Sequence, residues 1–321
     1  MKHMNLIIGF VLLVSGAGQV LAAPSLYVPA ATNVAYGPHP HQNIDVYLPI
    51  NGDTPYPVLI WFGGGTGLFK SGKKAPKASD LDRLLTNGCA VVNTQYRSLD
   101  DAIKEKLGVP IAVSLSDARR VVQFVRLTAS KWKLDPERIA VAGGSQGTLP
   151  SLYVACAGEK ANPKSNDPVE RVSTRVIAVG ANRSQPSIDP KRMQEWVPGV
   201  EWGAPAFGCS FADSLKRREE LLPIINEWSP DALLSRDTAP IYFEYDYSLH
   251  GKPDKVPEMG YKVHSPAWAI GFQKLARERG NHQVYVKYPE VEVKQYPSMW
   301  DFLLTMLHAN PASLTTPKIS H

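Results

Sequence analysis

Residues 138–147 constrain the fold of this 321-residue chain more than any other segment. They contain a short apolar run that ends in Gly-x-Ser-x-Gly, and helix-compatible residues follow over 148–155. This order is typical of a buried strand that turns sharply into a helix and leaves one serine hydroxyl at the tip. Glycines flank such a serine because its backbone is strained and neighbouring segments approach closely. The pattern predicts that Ser145 is a nucleophile.

Short apolar runs alternate with amphipathic segments along the chain. This alternation predicts an α/β fold in which helices cover both faces of a mostly parallel central sheet. The further predicted strands are 44–48, 58–62, 90–93, 175–179, 241–245 and 284–288, and the predicted helices are 80–85, 117–132, 265–279 and 298–308. The period-two alternation of the strand at 44–48 suggests the edge of the sheet.

Residues 158–239 interrupt this alternation and predict a long insertion. The segment is rich in proline and aromatic residues, which include Trp196, Trp202 and Phe207. Connections of this length are usually functional, so the insertion is either a lid over the substrate or a packed surface excursion. Its aromatic side chains correspondingly serve either as core or as a platform for the substrate.

The first residues predict export. Lys2 precedes an apolar core over 6–14, and small residues lead to Ala22, Ala23 and Pro24. This is the pattern of a secretory signal peptide, with cleavage expected after Ala22. The expected domains are therefore a signal peptide over 1–22 and one large α/β domain over 23–321, in a periplasmic or secreted protein.

Composition narrows the choice of partners. Hydrophobic residues make up 44% of the chain, enough for a sizeable core, and the net charge of +5 includes no basic block. Nucleic acid is thus a poor candidate partner, and no second apolar stretch predicts a membrane span. Of the three cysteines, Cys89 and Cys156 have the surroundings of buried core residues. No Cys or His pair has the spacing of metal ligands, so no metal site is predicted.

Several motifs together resemble the secreted α/β-hydrolase-fold serine esterases, in the acetyl-esterase-like branch with a Gly-rich oxyanion loop. The motifs are 44–49, 61–65, 93–97, 117–120 and 135–147, and the likeness is dense only up to about residue 160. The resemblance implies the α/β-hydrolase fold, Ser145 as nucleophile and no cofactor. It also implies an oxyanion hole formed by the backbone N–H of Gln146 and by the glycine segment that includes Gly64 and Gly65. Phe62 departs from the family, which usually has histidine there.

The catalytic base is harder to assign. The expected chain order is serine, acid, histidine, and the catalytic loops leave the carboxyl ends of the strands. No histidine lies in 289–296, where the family has one. His282 and His308 are predicted at the opposite edge, whereas His250 and His264 follow the strand at 241–245. We expect His264 to be the base, with His250 as the alternative.

Two arrangements provide an acid. In the first, the loop after Tyr245 supplies Asp246 or Asp254, the latter in a His-Gly-x-x-Asp sequence that resembles the family's acid loop. In the second, Glu290 or Glu292 from the last loop orients His264. The residues alone leave both arrangements open.

These observations predict a serine carboxylesterase that cleaves a small-molecule or polysaccharide ester through an acyl-enzyme. One alternative is a peptidase related to the prolyl-oligopeptidase group, although no long amino-terminal propeller precedes the first strand. The other is a binding protein that kept the fold and lost its base, an alternative that the missing histidine motivates.

Overall fold

The computed structural model describes residues 27–64, 68–70 and 72–309. Within these residues eight strands form one sheet, in the order β1-β2-β4-β3-β5-β6-β7-β8. The strands are β1 (Ala31–Ala35), β2 (Asn43–Tyr47), β3 (Tyr56–Phe62), β4 (Ala90–Gln95), β5 (Leu134–Gly144), β6 (Val179–Asn182), β7 (Ile241–Glu244) and β8 (Val284–Lys287). The six strands from β4 to β8 in this order are parallel, and β2 is antiparallel to both of its neighbours, β4 and β1. The predicted signal peptide and Gly65 lie outside the described residues.

Helices cover both faces of the sheet because its central strands are apolar on both sides. Side chains of β3 alternate between two cores, with Ile60 in the larger core and Leu59 in the smaller one. The helices are α1 (Ala78–Thr86), α2 (Leu99–Lys104), α3 (Pro110–Leu127), α4 (Thr148–Cys156), α5 (Pro190–Trp196), α6 (Phe211–Lys216), α7 (Arg218–Trp228), α8 (Pro230–Leu233), α9 (Glu258–Val263), α10 (Ala267–Glu278) and α11 (Met299–His308). The smaller core packs against α1 and α11, and the larger one packs against α3, α4 and α10. The predicted α/β-hydrolase architecture is confirmed.

Three local predictions were wrong. The strand predicted at 44–48 is not at the edge, because β1 pairs with its outer side. Helix α3 begins at Pro110, since proline favours the first helical turn, and it ends at Leu127, before the predicted end. Strand β6 begins at Val179, whereas 175–179 was predicted. The predicted insertion thus contains β6, and α5 to α8 lie in the connection from β6 to β7.

The described residues show no helix long and apolar enough to cross a membrane. The three cysteines are free thiols, and Cys89 and Cys156 are buried. Within the same residues, His, Cys, Asp and Glu side chains form no group of three or more that would hold a metal ion.

Candidate active site

Ser145 lies at a sharp turn between β5 and α4. The turn is a short 3₁₀ segment over Ser145–Gly147, and Ser145 itself has φ of 49°. A non-glycine residue in this left-handed region is strained, and such strain is characteristic of functional sites. The Thr148 hydroxyl donates to the Ser145 carbonyl at 2.7 Å, which helps to hold the turn.

Glycines allow the turn to press against the end of β3. A Cβ on Gly147 would lie 2.0 Å from the carbonyl oxygen of Phe62, and one on Gly143 would lie 2.2 Å from the carbonyl oxygen of Gly147. A Cβ on Gly64 would lie 2.3 Å from the Gly144 carbonyl oxygen. These contacts are too short for any side chain. The turn itself therefore requires glycine at 143, and the close approach of the two segments requires it at 147 and 64.

His264 reaches the serine from the other half of the molecule. Its Nε2 lies 2.9 Å from Ser145 Oγ, although the two residues are 119 positions apart in the chain. His264 follows the last residue of α9 and precedes α10. Of the other described histidines, His250 is exposed and His308 bonds to the Asn87 carbonyl, whereas the Ser145 hydroxyl bonds to His264. His264 therefore occupies the position predicted for a base.

A backbone carbonyl orients the imidazole. His264 Nδ1 lies 3.0 Å from the carbonyl oxygen of Gly260, four residues earlier, and the backbone N–H of His264 bonds to Tyr261 instead. Carbonyls in the last turn of a helix lack intrahelical partners, so Gly260 can accept this hydrogen bond. A carbonyl only accepts, which requires the proton on Nδ1 and leaves Nε2 free to accept from the Ser145 hydroxyl.

The structure does not bring the predicted carboxylates to His264. Asp246 accepts hydrogen bonds from Nε and Nη2 of Arg183, and Asp254 is exposed and not bonded to His264. In the alternative arrangement, Glu290 accepts from Ser248, and Glu292 lies 3.9 Å from Lys287. The Gly260 carbonyl thus takes the place predicted for an acid. His264 directly follows the short helix α9, and its imidazole folds back onto the last turn of that helix.

Sequence reasoning missed this carbonyl since backbone atoms leave no residue signature. The available signal was the four-residue spacing between Gly260 and His264 after Pro257, which often precedes a short helix. It also missed Arg183 and Tyr247. Arg183 lies over the Tyr247 ring at 5.1 Å, and that ring contacts the His264 imidazole edge-on at 6.4 Å.

Burial lowers the pKa of His264 below its ordinary value of 6.5. The hydrogen bond to Gly260 opposes this effect, while Arg183 lowers the pKa further and Asp246 raises it. The net lowering keeps the imidazole unprotonated at neutral pH. His264 is therefore in the form that can take a proton from Ser145.

Of the predicted oxyanion residues, Gln146 and Gly64 lie beside Ser145, and Gly65 lies outside the described residues. Gln146 follows Ser145 in the first turn of the helical segment, where backbone N–H groups have no intrahelical acceptor. Its side-chain Oε1 also accepts from the backbone N–H of Phe69 at 3.2 Å, in the loop that follows Gly64. This hydrogen bond joins Gln146 to the loop that follows the glycine segment. Their role as donors stays a prediction.

Aromatic residues of the insertion pack mainly as core. Trp202 is buried and contacts Phe69, in the loop after β3, and Trp268, in α10. Trp196 packs edge-on against Phe272. Since Trp202 contacts the loop on the serine side and the helix after His264, the insertion braces both halves of the site.

Sequence comparison with known proteins finds similarity in the part of the chain that contains Ser145. Residues 44–182 match the protein-family model BD-FAE. A probable isoprenylcysteine alpha-carbonyl methylesterase ICME of Oryza sativa subsp. japonica is 30% identical over 125 residues. The alignment covers 39% of this chain and 27% of the rice protein, so the match spans about a quarter of that curated relative.

Solved structures extend the comparison to most of the fold. A truncated carbohydrate esterase from gut microbiota has a TM-score of 0.65 and 20% identity, covering 89% of this chain and 98% of its own. An acetyl ester-xyloside bifunctional hydrolase from Caldicellulosiruptor lactoaceticus has a TM-score of 0.53 and 18% identity, covering 84% and 87%. At such identities the likeness establishes the fold alone. The chain therefore has the α/β-hydrolase fold and resembles the esterases of that fold, with the sequence likeness in residues 44–182.

Proposed function

We propose that this protein is a serine carboxylesterase in which Ser145 is the nucleophile and His264 the general base. The observation that carries the proposal is the 2.9 Å contact between Ser145 Oγ and His264 Nε2, at a serine whose backbone is strained. Folding alone does not require a strained serine with a histidine aimed at it. The contact favours an enzyme over the binding protein that the missing histidine after β8 suggested.

The acylation step follows from the orientation of the imidazole. The Ser145 hydroxyl gives its proton to Nε2 of His264 while Oγ attacks the ester carbonyl carbon. The backbone N–H of Gln146 and N–H groups of the glycine segment at Gly64 stabilise the resulting oxyanion. A single such donor contributes roughly 10²- to 10³-fold to kcat. The imidazolium then returns the proton to the departing alcohol oxygen, and the acyl group stays on Ser145.

Deacylation uses the same groups in reverse roles. His264 takes a proton from water, the hydroxide attacks the acyl carbon, and Ser145 leaves with the proton from Nε2. The Gly260 carbonyl fixes the Nδ1 proton and so the tautomer throughout. Because a carbonyl is neutral, it stabilises the imidazolium less than a carboxylate would, in agreement with the lowered pKa of His264.

The substrate that we propose is an ester of a carbohydrate or a small alcohol outside the cytoplasm. Two structural neighbours carry names that refer to carbohydrate ester cleavage, and export is expected from residues 1–22. A mature amino terminus at Ala23, measured by intact mass on exported protein, tests the export and cleavage prediction. A mass that retains residues 1–22 would contradict it.

The function is tested by hydrolysis of p-nitrophenyl acetate and acetylated xylo-oligosaccharides by wild type and Ser145→Ala. We expect wild type to release acetate from both, and Ser145→Ala to lose at least about 10³-fold of kcat. A proline-containing peptide substrate tests the peptidase alternative in parallel. Absence of Ser145-dependent hydrolysis in folded wild type would contradict the proposal, and cleavage of the peptide alone would favour the peptidase.

A further inference from the structure

The Lys73 side chain lies in a cage of oxygen atoms close to the candidate oxyanion segment. Its ammonium contacts Asp45 Oδ1 at 2.6 Å, Asn43 Oδ1 at 2.8 Å and Asn33 Oδ1 at 2.9 Å. Only 13% of the Lys73 side chain is exposed. Lysine is rarely buried in this way, because desolvation of its charge must be offset by complete pairing. Here the three donors of the ammonium have three acceptors.

Two neighbouring strands, β1 and β2, build this cage. Asn43 and Asp45 belong to β2, and the Asn43 amide is fixed because its nitrogen donates to Pro40 and Gln95. Asn33 has φ of 50° at an irregularity of the β1–β2 pairing, and its backbone N–H donates to Asp45. Irregularities of this kind re-aim side chains. The strand pair is therefore shaped to hold a cation supplied by the loop after β3.

Contacts lead from Lys73 to the nucleophile through backbone atoms. The next residue, Lys74, accepts the Trp61 indole N–H at 3.0 Å through its carbonyl. That carbonyl lies against Gly63, where an added Cβ would be 2.6 Å from it. Gly64 follows and rests against the Gly144 carbonyl, beside Ser145. A shift at Lys73 would therefore reach the Gly63–Gly64 backbone.

We propose that Lys73 is a positioning residue. By binding the loop after β3 to β2, it holds the Gly63–Gly64 backbone where its N–H groups can bind the oxyanion. The expected effect of Lys73 on kcat rests on the proposed esterase function, whereas its role in holding the loop against β2 does not. Lys73 touches no reacting atom and acts through Lys74 and Gly63. Displacements of about 1 Å in such a segment can cost roughly 10²-fold in rate.

The test compares Lys73→Met with Lys74→Met. The substitutions are identical and adjacent, but the Lys74 side chain is exposed, and only its backbone and Cβ, which methionine keeps, approach Gly63. For p-nitrophenyl acetate, we expect Lys73→Met to lower kcat about 10- to 100-fold with KM changed less than about threefold. The Ki of a boronic acid, which forms a tetrahedral adduct, should rise in parallel with the loss of kcat. Lys74→Met should match wild type.

Two further measurements separate positioning from loss of fold. Amide hydrogen exchange should accelerate over 61–64 and 72–74 in Lys73→Met but not in Lys74→Met, whatever the activity. Asp45→Asn keeps the oxygen that accepts from Lys73 and Asn33, so it should retain the fold and give a smaller loss of kcat. Equal exchange in the two lysine variants, or equal kcat in an active enzyme, would overturn the proposal. Absence of hydrolysis in wild type would overturn the esterase function, and exchange would still decide whether Lys73 fastens the loop.

Discussion

The two halves of the candidate site are built by different rules. On the serine side, steric demands of the backbone fix the residue types, since a Cβ at Gly143 or Gly147 would meet a carbonyl oxygen at about 2 Å. On the histidine side, the imidazole is held by the Gly260 carbonyl, which any residue at position 260 would supply. The serine side therefore depends on particular residue types, and the hydrogen bond that holds the imidazole depends on the path of the backbone.

This difference shows which parts of the site require particular residues and which part can come from another loop. The family match covers residues 44–182, which contain the elbow and Gly64, and ends before His264. In the proposed enzyme the base lies in the connection after β7 and not in the loop after β8, and both loops leave the same edge of the sheet. What must be kept is the distance from the imidazole to Ser145 Oγ.

The largest expected effect distinguishes the histidines. His264→Ala removes the group that accepts the serine proton, and we expect kcat to fall roughly 10³- to 10⁴-fold. His250→Ala is the matched control, because His250 is exposed and lies in the same connection after β7. Steady-state hydrolysis of p-nitrophenyl acetate measures both. A large loss with His250→Ala alone would reverse the assignment.

Glycine substitutions sharpen the contrast between the two halves. Gly147→Ala places a Cβ 2.0 Å from the Phe62 carbonyl oxygen, and we expect at least about 3 kcal/mol of destabilisation and loss of activity. Gly260→Ala meets only ordinary contacts, 3.6 Å to Val256 and 3.8 Å to Pro257, and keeps the carbonyl. Its unfolding free energy should stay within about 1 kcal/mol of wild type. Urea denaturation gives both values, and equal losses would contradict the contrast.

The pH dependence should reflect the lowered pKa of His264. Activity requires the unprotonated imidazole, so kcat/KM should be level at neutral pH and fall on the acid side. Because burial lowers this pKa, the midpoint of the fall should lie below 6.5. Below the midpoint the rate should drop roughly tenfold per pH unit. A midpoint above 7, measured with an uncharged ester, would indicate a carboxylate partner for His264.

The smallest effects are expected at the carboxylates that sequence reasoning favoured. Asp246→Asn and Asp254→Asn should each change kcat/KM by less than about fivefold, whereas loss of the triad aspartate in a chymotrypsin-like enzyme costs roughly 10⁴-fold in kcat. Asp246→Asn should also move the acid midpoint slightly lower, since Asp246 raises the pKa of His264. Asp254→Asn should leave the midpoint unchanged. A thousandfold loss in either variant would identify a carboxylate in the triad.

The sequence was informative wherever a residue type carries the constraint. It predicted an α/β fold with a mostly parallel sheet, since apolar periodicity is a local signal, and the resemblance to the serine esterases implied the α/β-hydrolase fold. It also indicated His264, because the topology rule leaves few histidines at the correct edge, and the structure brings that residue to Ser145. It gave no access to the Gly260 carbonyl or to the cage around Lys73. Both depend on where distant backbone segments meet. Strand β1 was missed because three of its five residues, Asn33 among them, are exposed, so it carries no apolar run.

The central claim is that His264 activates Ser145 without a carboxylate. The most direct test is the rate of labelling by a fluorophosphonate probe in wild type, Ser145→Ala, His264→Ala and the double variant Asp246→Asn/Asp254→Asn. We predict rapid labelling of wild type, none of Ser145→Ala, a loss of at least about 10³-fold with His264→Ala, and a rate within about fivefold of wild type for the double variant. Labelling that survives His264→Ala, or that collapses in the double variant, would contradict the claim.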